Sequence, residues 1–233
     1  MSELYRPNVG ILASGSGTTL RFFLHAIAAG NVSANVAMLI SNNSKGGAFQ
    51  VAERTNQQYG LEIATRHISN ATHPGETDGK LLTKEASAAM VRAFKEVDVG
   101  IVIMMGFMKR LQGEILEVFG LPENWEHAHE TNLLNTHPGL LPLTAGMWGK
   151  HIQEFVLERR KTHPETQAGQ TLHAVPAFST EYDVGPTFAE HEVPVMPWDD
   201  PDTLFDAVQD TEKVWVPRDF QDYLNLKQEL GLT

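Results

Sequence analysis

The sequence predicts an α/β fold: a Rossmann-like, doubly wound, mainly parallel sheet with helices on both faces. Three observations predict it. Short apolar runs of strand length alternate with longer stretches of helical period through the first hundred residues, the signature of successive βαβ units. The run Ile101-Val102-Ile103-Met104-Met105 is apolar without interruption, as in a strand covered on both faces. Between the first strand and the first helix stands Gly15-Ser16-Gly17, a tight turn of the kind found in nucleotide-type folds.

The elements follow in order. Residues 9–13 read as a buried strand and residues 18–29 as a helix, with Leu20, Phe22, Phe23, Leu24, Ala26 and Ile27 at roughly helical spacing. Residues 34–40 form a second strand that stops at Ser41-Asn42-Asn43, 48–58 a helix, and 61–65 a strand. A longer amphipathic helix covers 80–95 and leads to the strand at 101–105, which Gly106 ends. Residues 121–130 have no period and read as a surface insertion. Asn132-Leu133-Leu134 reads as part of a buried strand, and Pro138 stops it. A helix at 149–160, strands at 171–175 and 191–195 around a loop at 176–186, and a helix at 202–215 that continues to the end complete the chain. Internal repeats, low-complexity segments and a flexible linker are all lacking, so one domain is expected over 1–233.

Composition narrows the function. The 233 residues are 42% hydrophobic and carry a net charge of −11, with a pI near 5.3. Without a Lys/Arg cluster, a nucleic-acid partner is not expected. The absence of cysteine removes disulfides, thiolate nucleophiles and cysteine metal sites. The start Met1-Ser2-Glu3-Leu4-Tyr5-Arg6-Pro7 has no secretory apolar region, and no apolar run reaches membrane-spanning length. A cytoplasmic protein with no membrane partner is the expectation.

The most informative stretch is Asn135-Thr136-His137-Pro138-Gly139-Leu140-Leu141-Pro142. If strand geometry continues that far, the amide and the imidazole point the same way. The amide can steady a carbonyl oxygen as charge builds on it, and the imidazole can carry a proton near neutral pH. That pairing suits acyl transfer to an amine. Gly15-Ser16-Gly17-Thr18-Thr19 lets the backbone turn sharply and offers helix N–H groups and two hydroxyls to an anion. From the loop alone, phosphate binding and a plain threonine-capped turn stand about even. Leu20 occupies the place of the third dinucleotide-binding glycine, and the lysine of a Walker loop is missing. Asp183, in Glu181-Tyr182-Asp183-Val184-Gly185-Pro186, can orient an imidazole, although on its own a turn cap is the commoner use of such a residue. His173 takes a supporting place near the site. His127 and His129 lack a spaced ligand set, so surface solvation outweighs metal binding, and no metal site is expected.

Together these segments resemble the folate-dependent formyltransferases, in particular the branch that acts on glycinamide ribonucleotide. The resemblance rests on residues 9–20, Gly106-Phe107-Met108-Lys109-Arg110-Leu111, residues 132–142, Asp183-Val184-Gly185-Pro186 and Val208-Gln209-Asp210-Thr211-Glu212, in family order over most of the chain. It implies formyl transfer from 10-formyltetrahydrofolate, as co-substrate, to the amine of phosphoribosylglycinamide in purine synthesis. Asn135, His137 and Asp183 would be the catalytic trio, with Asp183 raising the pKa of His137 and Asn135 bonding the formyl oxygen. Gly17, Thr18 and Thr19 would hold the phosphate; Gln209 and Glu212 would bind the rest of the acceptor. Met108, Lys109, Arg110 and Leu111, with Asn135, would line the folate pocket. The family has a folate-contacting arginine in the preceding helix, and Lys84 occupies that place. The single domain would divide into a phosphate-binding half, 7–105, and a folate and catalytic half, 106–233. A homodimer is possible.

The chain departs from the family pattern in several places. Thr19 replaces an asparagine, Lys109 an arginine and Gly139 a serine, and Gly146-Met147-Trp148-Gly149 differs from the usual proline-glycine lead into the next helix. These departures bear on the acceptor more than on the reaction. A methionyl-tRNA formyltransferase would need a nucleic-acid-binding domain, and a formyltetrahydrofolate hydrolase an N-terminal regulatory one. A sugar-nucleotide N-formyltransferase and a non-catalytic folate-binding homologue remain as alternatives. A dinucleotide oxidoreductase rests on the glycine loop alone.

Overall fold

β4 (Ile101–Met105) is the central strand of a seven-stranded sheet in a computed structural model that describes residues 6–232. The remaining residues, including the polar start Met1 to Tyr5, lie outside the described residues. The strands are β1 (Asn8–Leu12), β2 (Asn35–Ser41), β3 (Ala64–His67), β4, β5 (Leu133–His137), β6 (Ala168–Ala174) and β7 (Thr187–Val193), in the spatial order β3-β2-β1-β4-β5-β6-β7. The first five are parallel to one another, and β6 and β7 add antiparallel pairs at one side. The helices are α1 (Thr18–Ala28), α2 (Ala48–Tyr59), α3 (Lys84–Glu96), α4 (Glu114–Phe119), α5 (Lys150–Arg160) and α6 (Pro201–Glu229).

Side chains of β4 alternate between two cores, as strand geometry requires. Ile101, Ile103 and Met105 join α1, α2 and α6 through Phe23, Ala52 and Phe220. Val102 and Met104 join α3 and α4 through Met90, Phe94 and Ile115. This is the doubly wound arrangement that the alternating elements predict. β1 and β4 are neighbours, yet the chain leaves β1 in one direction and resumes at β4 in the other. Their carboxyl ends therefore diverge at a switch point, where such sheets open a crevice.

Several boundaries differ from the sequence reading, each for a local reason. The strand expected at 61–65 is Ala64–His67, because the Asn56 side chain takes both backbone groups of Ile63, at 3.0 and 3.1 Å. The helix expected from 80 begins at Lys84. Thr83 caps it by accepting the Ala86 N–H at 3.1 Å, while Lys80 and Leu82 pair instead with the backbone of Arg110. The strand expected at 191–195 is Thr187–Val193, an edge strand with weak apolar patterning. The six-residue α4 is too short to announce a period. The segment 121–130 is exposed in the middle but anchored at its ends. Leu121 is fully buried and exchanges backbone bonds with Val175 and Ala177. Beyond it, buried Lys227 of α6 donates to the carbonyls of His129 and Thr131 and to the Asn132 side chain. Among the described residues no helix is long and apolar enough to cross a membrane.

Candidate active site

β5 carries Asn135 and His137 on one side of the strand, as their spacing predicts. Its antiparallel neighbour β6 places His173 directly opposite Asn135. The third partner arrives on the loop after β6. Asp183 has φ 58°, a left-handed conformation that aspartate tolerates better than most residues. Gly185 makes this turn possible: a Cβ there would overlap the Ala174 carbonyl oxygen. The loop is thereby drawn against β6, where the Ala174 N–H donates to the Pro186 carbonyl at 3.0 Å.

Asp183 is the hub. Its Oδ2 lies 3.3 Å from His137 Nδ1 and accepts the Gly146 N–H at 3.1 Å. Its Oδ1 accepts from Asn135 Nδ2 at 3.2 Å and lies 3.4 Å from His173 Nε2. The side chains of His137 and Asp183 are 3% and 4% exposed, so their charges act on each other with little solvent screening. His173 Nδ1 bonds its neighbour's carbonyl, Ala174 O, at 3.0 Å. The Ala174 carbonyl can only accept, so Nδ1 carries a proton; Nε2 lies 2.9 Å from Asn135 Nδ2 and faces Asp183, accepting from the amide when the ring is neutral and donating to the carboxylate when it is charged. The Asn135 amide nitrogen therefore lies within hydrogen-bond distance of both Asp183 and His173 at rest.

Burial raises the Asp183 carboxyl, but His173, His137 and the Gly146 N–H outweigh it and hold the group below its ordinary value. For His137 the balance differs from the sequence expectation. Burial lowers the imidazole, Asp183 raises it and His173 lowers it, and the sum falls below the ordinary histidine value. Asp183 thus pushes in the expected direction without winning.

A cavity of about 420 Å³ joins this cluster to the glycine loop. Asn135, His137 and Asp183 border it, as do Gly17, Thr18, Thr19, Met108, Gln209 and Glu212. Glu212 is 6% exposed and is pushed up to about 7 by burial, against the Thr19 hydroxyl and the Lys213 charge. The Thr19 hydroxyl donates to it at 3.3 Å. Lys109, Arg110 and Leu111 face a second, smaller hollow of about 30 Å³ that shares Asn135 and Asp183. Arg110 is held by Asp78 and Glu181, and Lys109 by the Gly79 carbonyl. Lys84 lies at the start of α3 near Gly113 and borders neither cavity. Lys80, which the sequence reading placed inside a helix, is the cationic side chain on the wall of the large cavity. One further residue escaped the sequence reading, Thr144, whose hydroxyl meets His137 Nε2 at 2.9 Å; Trp148, in the segment that departs from the family pattern, borders the cavity from the loop before α5. Among the described residues no three His, Asp or Glu side chains gather in a metal-holding arrangement.

The fold and this cleft define an α/β protein with acid–base groups and an anion-ready loop at the switch point of its sheet. The chain belongs to the formyl transferase family, whose model matches residues 7–219. It is similar to phosphoribosylglycinamide formyltransferase of Mycobacterium tuberculosis, at 30% identity over 87% of this chain and 78% of the relative. The chloroplastic phosphoribosylglycinamide formyltransferase of Arabidopsis thaliana is 26% identical over 87% of this chain, which spans 60% of that protein. The chain spans 17% of the trifunctional purine biosynthetic protein adenosine-3 of Gallus gallus, at 28% identity. Among solved structures, glycinamide ribonucleotide transformylase 1 of Symbiobacterium toebii superposes with a TM-score of 0.76 at 25% identity, covering 97% of this chain and 91% of that one.

Proposed function

We propose that the protein transfers a formyl group from 10-formyltetrahydrofolate to the amine of phosphoribosylglycinamide, a step of purine synthesis. The observation that carries this reading is the convergence of Asn135, His137 and Asp183 on one wall of a cavity that also contains the glycine loop. The names of the relatives support it.

The acceptor's phosphate would sit on Gly17, Thr18 and Thr19, where unpaired N–H groups open α1. Gln209 and Glu212 would hold its ribose or glycinamide end. Met108, Lys109, Arg110 and Leu111 would hold the folate. The amine attacks the formyl carbon, a C–N bond forms, and the former carbonyl oxygen gains negative charge. Asn135 and protonated His137 stabilise that oxygen. The bond from carbon to the folate nitrogen then breaks, and the proton lost by the amine replaces it on that nitrogen. Asp183 orients the imidazole and favours its charged form. Holding both reactants in one cleft contributes up to about 7–11 kcal/mol toward the barrier.

A cytoplasmic setting and a homodimer belong to the same reading; the dimer would appear on sizing. The deciding experiment is a product assay with phosphoribosylglycinamide beside nucleotide-sugar amines. Formylation of the former, lowered about 10²–10⁴-fold in His137→Ala, is expected. Turnover only with a nucleotide sugar, or folate binding with no turnover, would select one of the alternatives.

A further inference from the structure

A second concave surface lies on the far side of the glycine loop, between α1 and α2. It is a groove of about 630 Å³ that contains none of Asn135, His137 or Asp183. Its charge is opposite to that of the chain. The protein has 29 Asp and Glu against 18 Lys and Arg, yet the groove is bordered by Arg21, His25 and Arg54 and by no carboxylate. Arg21 and His25 are one turn apart on α1, and Arg54 faces them from α2. Arg66 and Arg110 are in ion pairs. Arg21 instead lies 5.1 Å over the Phe22 ring, and neither it nor Arg54 pairs with a carboxylate among the described residues.

The backbone adds to this potential. α1 and α2 begin after Gly17 and Gly47, both of which border the groove, and neither helix has a side-chain cap or an acidic residue in its first turn. The two starts are packed together: a Cβ at Gly47 would overlap the Ser16 carbonyl, and the Gly47 N–H donates to Gly15 O at 3.0 Å. Two positive helix ends and two guanidinium groups thus act on one groove. At its other end Tyr59 accepts or donates a 2.8 Å bond with His25 Nδ1 and offers a ring face.

From this we infer that the groove between α1 and α2 is a binding site for a small molecule carrying adjacent phosphate groups, separate from the substrate cavity. Adjacent phosphates can be shared by two guanidinium forks, which bind such oxygens in pairs. Because Ser16, Gly17 and Thr18 border both spaces, occupation of the groove touches the loop that serves the cavity.

The test is calorimetric titration of the full chain with inorganic triphosphate, ATP and adenosine. Triphosphate and ATP should bind, adenosine should not, and added salt should weaken the binding. Arg54→Gln and Arg21→Gln should each weaken triphosphate by about tenfold, the loss of one charged hydrogen bond. Arg54 is outside the substrate cavity, so formyl transfer by Arg54→Gln at saturating substrate should match wild type. No binding of triphosphate, equal binding to wild type and both variants, or adenosine binding as tightly as ATP would overturn the site. A wild-type protein that binds triphosphate in this way but formylates no amine would overturn the proposed function and leave the groove standing.

Discussion

Thr144 places its hydroxyl 2.9 Å from Nε2 of His137 and 3.0 Å from the Leu140 carbonyl. The carbonyl can only accept, so the hydroxyl hydrogen goes to Leu140 and the oxygen is free to receive Nε2–H. With Asp183 at Nδ1, both ring nitrogens then face acceptors, which suits the charged imidazolium. Gly139 makes room for this contact, since a Cβ at 139 would overlap the Thr144 hydroxyl. Thr144→Val keeps the shape and removes the acceptor. Turnover should fall by up to about tenfold, as expected for one hydrogen bond, and the pH–rate profile should move to lower pH, while Thr144→Ser keeps both. A valine variant with the wild-type profile would make Thr144 a packing residue.

Asp183→Asn removes the contribution that opposes burial at His137. The imidazole already lies below its ordinary value, so the variant should lower it further. His137 is active when protonated on this mechanism, and activity is lost as pH rises through its pKa. The alkaline limb should therefore shift to lower pH. Imidazole proton resonances of the folded variant give an independent reading, and an unmoved titration would reduce Asp183 to the cap of its own turn.

Glu212 gives a stability prediction with the opposite sign from most carboxylates. Its folded value is raised from 4.5 to about 7. The protonated form is the one the fold accepts, so its contribution is complete below pH 4.5 and is lost as pH rises through about 7. Full ionisation costs on the order of 3 kcal/mol. Glu212→Gln should match wild type in denaturant midpoint near pH 4.5 and exceed it near pH 8.5. Equal midpoints at both pH values would mean that the carboxylate is well solvated in the cavity.

How much of this was legible in the sequence depends on whether a feature is local. The apolar run at 101–105 and the helical spacing from 18 are local, and the elements appear where expected. The strand displaced to Ala64–His67 is not, because it is set by an Asn56 side chain from another element. Asn135 and His137 could be paired from their spacing, whereas Asp183 is chosen over a turn cap only by the family resemblance; what brings it to them is the close passage of Gly185 along β6. His173 acts through its register opposite Asn135, which no motif states. Thr144 is hidden for a different reason: a threonine seven residues beyond His137 carries no signal until the Gly139 turn folds it back.

The same distinction separates Lys80 from Lys84. By position in the sequence, Lys84 takes the place of the family's folate-contacting arginine. In the fold, Thr83 caps α3 and sets Lys84 at its start, away from both cavities, whereas Lys80 is on the wall of the large one. The other cations nearby, Lys109 and Arg110, are engaged within the protein. An anionic part of a substrate would therefore meet Lys80. Lys80→Ala should raise KM for the formyl donor by about tenfold with kcat little changed, the pattern of a lost uniform binding contact, and Lys84→Ala should leave both constants near wild type. Steady-state kinetics of the two variants at low salt decide the matter. A KM increase confined to Lys84→Ala would return the contact to the position the sequence assigns.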